Sequence, residues 1–202
     1  MATKQRKAIR VRARVLARAS ILLLALAPPA LAGDTQIVAG KRVGAVSLGA
    51  TRAQVEKALG KAQTEHAPSP QRTLAQWPLP GKGSLHAEFI DGKVARVGTN
   101  AQEYATTDGI ALGASLADVR AKHANLAETD YAVQRKGGKG AKGTLAVQCY
   151  DDVANGIGFA FNRAEGKSDF VLASIYVHAA GKPAACGEED DPRATKRVGA
   201  SQ

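Results

Sequence analysis

Residues 46–55 read Val-Ser-Leu-Gly-Ala-Thr-Arg-Ala-Gln-Val, and residues 110–119 read Ile-Ala-Leu-Gly-Ala-Ser-Leu-Ala-Asp-Val. Leu48, Gly49, Ala50, Ala53 and Val55 recur as Leu112, Gly113, Ala114, Ala117 and Val119, and Thr51 is answered by Ser115. Two more anchors follow in the same order: Thr73-Leu74-Ala75 against Thr144-Leu145-Ala146, then Phe89 against Phe161. A unit too small to hide its apolar side alone is stabilised by a neighbouring copy, which is why a duplication governs the reading of everything else. The offset grows from 64 to 71 to 72 residues, so the second copy carries insertions, in the Lys/Gly-rich stretch 135–143 and in the loop 162–169. Loops tolerate such insertions.

Each copy predicts the same local structure. Thr51 offers a hydroxyl to cap a helix and Gln54 completes a capping box; Ser115 and Asp118 repeat the device. The first helix runs to about Leu59 and stops at Gly60, where a left-handed residue suits a helix end. Val55 and Leu59 share one face, as do Leu116 and Val119. Helices this short are marginal in isolation and need a sheet to lie on. Alternating stretches at 73–79, 85–90 and 93–99 supply it in the first copy, and 144–150, 156–162 and 170–178 in the second. The Ile90-Asp-Gly-Lys93 run predicts a hairpin. A three-residue bulged turn, pairing Leu85 with Val97 and Ala87 with Ala95, keeps His86, Glu88 and Arg96 together on the opposite face. In the second copy Leu145, Val147 and Cys149 are expected to point inward with Ile157, Phe159 and Phe161. The stretch 170–178 is apolar on both sides and is expected to be central or covered. The expected class is α+β: two tandem repeats, each a short helical segment on a three- to four-stranded antiparallel sheet. The expected units are a signal peptide over 1–32, repeats over 33–100 and 101–180, and a tail over 181–202 that is disordered beyond Cys186.

The run Leu-Gly-Ala-Thr-Arg-Ala-Gln-Val-Glu-Lys-Ala-Leu-Gly (48–60), the Trp77 strand, and Phe-Ile-Asp-Gly-Lys-Val (89–94) together resemble the exported SmpA/OmlA domain. The arrangement is similar also to the tandem repeat of the β-lactamase inhibitor protein. This resemblance implies a non-enzymatic module that binds other proteins through its sheet and loops. The lipid-bearing Cys of SmpA/OmlA has no counterpart after the apolar run.

The chain of 202 residues has 28 Lys+Arg against 18 Asp+Glu, a formal charge of +10. Seven of the cations (Lys4, Arg6, Lys7, Arg10, Arg12, Arg14 and Arg18) lie in the first twenty residues, where there is no acid. Without them 21 cations face 18 acids, which is solubility charge and not a phosphate-binding stripe, so no nucleic-acid partner is expected. The apolar run 21–32 is shorter than the roughly 20 residues of a spanning helix and contains Pro28 and Pro29. Ala30-Leu31-Ala32 fits signal-peptidase cleavage after Ala32. The mature chain is therefore expected to be exported, periplasmic or extracellular, with no stable membrane insertion.

Little in the sequence points to catalysis. His66, His86, His123 and His178 follow no metal-ligand spacing, no nucleophile elbow occurs, and no cofactor is expected. Asp151-Asp152 and Glu188-Glu189-Asp190-Asp191 are paired acids without a held geometry. Arg135-Lys-Gly-Gly-Lys-Gly-Ala-Lys-Gly143 lacks the closing Gly-Lys-Ser/Thr of a phosphate loop and reads as a cationic hairpin loop. Tyr150 and Tyr176, on faces opposite their inward neighbours, are expected to form an exposed aromatic patch, with His86, Arg96 and His178 beside it on the partner-binding surface. Trp77 is read as core. The function expected is an exported protein–protein interaction module with an unidentified protein partner. The alternatives are an envelope assembly accessory, or a small periplasmic hydrolase or ligand-binding protein; a meeting of His86, His178 and Asp151 would point to the hydrolase.

The two cysteines, Cys149 and Cys186, in an exported chain predict one disulfide. It would tie the C-terminal segment to the second-copy sheet, contributing about 4 kcal/mol by loop-closure entropy. The expected intact mass of the mature, non-reduced chain is about 2 Da below that of its reduced form, one hydrogen per thiol. Two alkylatable thiols in the exported protein would refute the bridge.

Overall fold

A computed structural model describes residues 34–135, 143–164, 166–184 and 194–198. Three short strands come from the N-terminal part, β1 (Gln36–Val38), β2 (Arg42–Val43) and β3 (Val46–Ser47), and a fourth, β8 (Ala105–Thr106), comes from mid-chain. They form a small sheet in the order β3-β2-β1-β8, with β1 and β8 parallel. Helix α1 (Arg52–Leu59) precedes β4 (Thr64–Ser69), β5 (Arg72–Pro78), β6 (Ser84–Ile90) and β7 (Lys93–Thr99). Helix α2 (Leu116–Lys122) precedes β9 (Ala127–Arg135), β10 (Gly143–Asp152), β11 (Ile157–Ala164) and β12 (Val171–His178). A last strand, β13 (Ala194–Val198), pairs with β9. All strands from β4 onward except β8 belong to one antiparallel sheet, ordered β13-β9-β10-β11-β12-β7-β6-β5-β4.

This corrects the α+β expectation. The chain is mostly β, and helices do not define separate helix-on-sheet units. The physical reason lies in the junction. Strand β12 pairs antiparallel with β7 through Ile175↔Thr99, Tyr176↔Gly98, Val177↔Val97 and His178↔Arg96. Two sheets kept apart would each expose a free edge there; joined, they satisfy those backbone groups and bury β12, whose apolar residues on both sides demanded an interior position. The helices have eight and seven residues, and each fully buries one side chain, Val55 or Val119.

The duplicated motif has a definite mechanical role in both places. The capping boxes form: the Gln54 carboxamide oxygen accepts from Thr51 N–H at 2.8 Å, and the Asp118 carboxylate from Ser115 N–H at 3.1 Å. Immediately before them, Gly49 N–H donates to the Val94 carbonyl and Gly113 N–H to the Leu172 carbonyl, at 2.7 and 2.9 Å. Both glycines have positive φ, 76° and 85°, a conformation that other residues adopt at a cost. Each Leu-Gly-Ala segment is thus stitched onto β7 or β12, and its helix is delivered onto the same face of the large sheet. That face carries the core. Ile37, Val43 and Val46 of the small sheet and Val55 and Val119 of the helices pack with Trp77, Leu85 and Phe89 of one meander and Phe159, Phe161 and Ile175 of the other. Arg52 reinforces α1: its guanidinium lies 5.2 Å from the Phe89 ring centroid and 5.9 Å from that of Trp77.

Two register expectations are also corrected. The β6–β7 hairpin turns on two residues, Asp91 and Gly92, both with positive φ, so Ile90 opposes Lys93 and Phe89 opposes Val94. An irregularity after that pair sets Glu88 opposite Arg96 and Ala87 opposite Val97. The bulge sits in the strand and not in the turn, and it still restores the match of faces. In the other meander Tyr150 opposes Phe159 and Cys149 opposes Ala160. Directly opposed residues share a face, so Tyr150 is inward, and Val147 and Cys149 lie on the face away from Phe159. The side chain of Leu145 is outside the described residues. The β10–β11 turn sets this register: Asp152 accepts from Asn155 N–H and from its amide nitrogen, at 3.2 and 2.7 Å, closing the loop so that Asp152 opposes Ile157.

Val119→Asp should lower stability by about 3 kcal/mol or more, because an unpaired charge would enter the helix–sheet seam. Ala117→Asp, on the exposed side of α2, should shift it by no more than about 0.5 kcal/mol. Thermal melts of the two variants check this; equal melting points would mean that Val119 does not sit in the seam.

Candidate functional site

Alternation along the strands sends Leu74, Gln76, His86, Glu88, Arg96, Ser174, Tyr176 and His178 to the face opposite the core. Two glycines in strand interiors shape it, as glycine does where something must approach a backbone closely. A Cβ on Gly158 would lie 1.9 Å from the Tyr176 ring, and one on Gly98 would lie 2.5 Å from His86 Nε2. The Tyr176 ring therefore lies down over Gly158, and His86 over Gly98.

The expected partner-binding residues separate into three groups. Tyr150 is on the core face, 2 % exposed, with its ring edge-on to Phe161 at 5.6 Å. Tyr176 and His178 are on the other face but only 2 % and 3 % exposed. The expected exposed aromatic patch is thus corrected: both tyrosines are buried, Tyr150 because the β10 register turns it inward and Tyr176 because Gly158 lets its ring sink onto the sheet. His86 and Arg96 alone of the five remain partly exposed.

Those two line a groove of about 440 Å³ running from the outer edge of β4 across β5, β6 and β7 toward Asn162 and Ser174. Its amides and hydroxyls are held in place. Gln76 donates to Ser84 Oγ at 2.8 Å, Asn100 Oδ1 accepts from Ser84 N–H at 2.7 Å, and Ser174 donates to the Thr99 carbonyl at 3.2 Å. Glu88 joins Arg72 and Arg96 in ion pairs, the latter at 3.1 Å. The Arg96 guanidinium lies 5.9 Å from the Tyr176 ring centroid. Burial, and then the nearby Arg96 charge, push the His86 imidazole down to about 4, so it is neutral at physiological pH.

The other histidines form buried contacts that spacing alone did not announce. Asp151 and Asp152 are consecutive on β10 and so point to opposite faces. Asp152 meets His123 Nδ1 at 2.7 Å on the core side, where His123 ends α2 and also faces Asp108 at 3.3 Å. Burial raises the Asp152 pKa, but hydrogen bonds from Asn155 and His123 outweigh it and hold the carboxyl below the ordinary aspartate value. On the other side Asp151 meets His178 Nε2 at 2.7 Å and accepts from Ala184 N–H at 2.9 Å. His178 Nδ1 faces the Ala179 carbonyl at 3.1 Å. Both ring nitrogens of His178 therefore face protein groups, a carbonyl on one side and a carboxylate on the other. The combination that would have favoured a hydrolase is therefore split: Asp151 and His178 meet, whereas His86 opens on a different depression. Among the described residues no three His, Cys, Asp or Glu side chains gather into a metal site.

Cys149 is buried on the Asp151 face. Since Asp151 holds Ala184, the chain is brought to within two residues of Cys186 on that side. Cys186 itself lies outside the described residues, as do the segment 1–32 read as a signal peptide, most of the Lys/Gly stretch 135–143 and the acidic run Glu188–Asp191, and the bridge stands as a proposal. No protein-family model, curated protein or solved structure matches the chain.

A pH titration of the histidine carbon-bound protons should give His86 a midpoint near 4. A folded-state value below the ordinary 6.5 means that the unfolded chain takes the proton first, so this group costs stability progressively as pH falls from 6.5 toward 4. A midpoint near 6.5 would show that the ring is solvated and the groove floor misplaced.

Proposed function

We propose that this protein is an exported, non-catalytic module that docks a protein partner on the half of its large sheet formed by β4–β7. The observation that carries this reading is the held groove on a sheet face that the described residues leave open, with its polar groups fixed by neighbours. Export rests on the signal-like segment before Gly33. The resemblance to SmpA/OmlA and β-lactamase inhibitor repeats points the same way, toward sheet-mediated protein binding.

Affinity capture with the mature chain tests it. Gln76→Lys and Asn100→Lys, on the groove, should each weaken partner retention about tenfold or more, since each places an unmatched charge at a contact. Lys57→Glu, exposed on α1, should leave retention within about twofold, because surface charges away from an interface contribute little. Equal retention by all three variants would remove the docking face from this half of the sheet.

A further inference from the structure

Resting on that docking reading, we infer that the groove takes an extended, uncharged segment of the partner protein, recognised by hydrogen bonds to its main chain and short polar side chains.

Charge supports this first. Among the described residues, the charged side chains lining the groove are Glu65, Glu88 and Arg96. Each is already matched within the molecule, Glu65 by Arg52 and Glu88 by Arg72 and Arg96. A partner charge would have to break one of these pairs or be desolvated without an equal counter-charge, which is costly. The remaining polar lining consists of carboxamides (Gln76, Asn100, Asn162), hydroxyls (Thr64, Ser174) and imidazoles (His66, His86). His86 adds no charge at neutral pH.

Hydrogen-bond accounting supports it second. Asn162 Oδ1 is buried and has no hydrogen-bond partner among the described residues. A buried acceptor left empty costs free energy that an incoming N–H recovers. A peptide supplies such donors at regular spacing. A sugar supplies them too, but its apolar ring face is matched by an aromatic plane, and among the described residues no aromatic ring other than imidazole lines this groove. Shape supports an extended occupant. The groove reaches the outer edge of the sheet at Thr64, Glu65 and His66, where β4 is exposed along nearly its whole length. Backbone groups at a sheet edge are able to pair with an added extended chain.

Site-specific photo-cross-linking tests the inference on the full mature chain. A benzoylphenylalanine replaces Gln76 in one variant and Lys57 in another, and mass spectrometry reads the attached segment. The expected result is an adduct at position 76 to a peptide without Asp, Glu, Lys or Arg at the attached stretch. Its yield should change by less than about twofold between about 0.05 and about 0.5 M NaCl, since screening acts on charge. An adduct at 76 to a charged segment or a glycan, or a yield falling about tenfold with salt, overturns the uncharged-peptide inference and leaves the docking face standing. Adducts at 57 only, or at neither position, overturn both.

Discussion

The antiparallel pairing of β7 with β12 is the contact on which the rest depends. It joins two four-stranded meanders that would otherwise each end on an exposed edge. Its four residue pairs also set which side chains sit together at the middle of the sheet. Val97 and Val177 fall on the core face, and Gly98 and Tyr176 fall on the other. Because the strands are pleated, one decision about pairing allocates both the apolar core and the polar face.

The covering layer follows from that junction. Each Leu-Gly-Ala segment bonds to a strand next to or within the joint, Val94 on β7 and Leu172 on β12. Helices of seven or eight residues gain most of their stability from such docking. They need only one deeply buried valine each because the small sheet, with Ile37, Val43 and Val46, closes the remaining area. The helices and the small sheet all lie on one side, which leaves the opposite face to other uses. On its β10–β12 half the Asp151–His178–Ala184 clamp and the sunken Tyr176 ring occupy that face beyond Asn162 and Ser174. On its β4–β7 half a groove is left that runs on to Asn162 and Ser174, and the docking proposal rests on this asymmetry.

Part of the candidate site was legible from residue order. The alternation in Leu85–Ile90 placed His86 and Glu88 on one side, and the requirement to keep faces matched placed Arg96 with them. The adjacent acids Asp151 and Asp152 were visible, but their meaning was not. A strand sends neighbours to opposite faces, so they serve two separate histidines, one 29 residues earlier and one 27 residues later. Such long-range contacts leave no local spacing to find. Tyr150 shows the other limit: whether an even or an odd row of β10 faces inward depends on a four-residue turn and the Asp152–Asn155 bonds within it.

The sequence by itself determined the local devices: both capping boxes, the glycines after Leu48 and Leu112, the Asp91-Gly92 turn, and the duplication that repeats the helix and its following strands. These depend on hydroxyls, carboxamides and absent side chains acting on their own neighbours. Only the tertiary structure decided that the strands make one sheet, which rows face the core, and which polar residues remain reachable. Those outcomes turn on edge-to-edge pairing and on bulges, where a shift of one residue exchanges the two faces and no nearby residue records the choice.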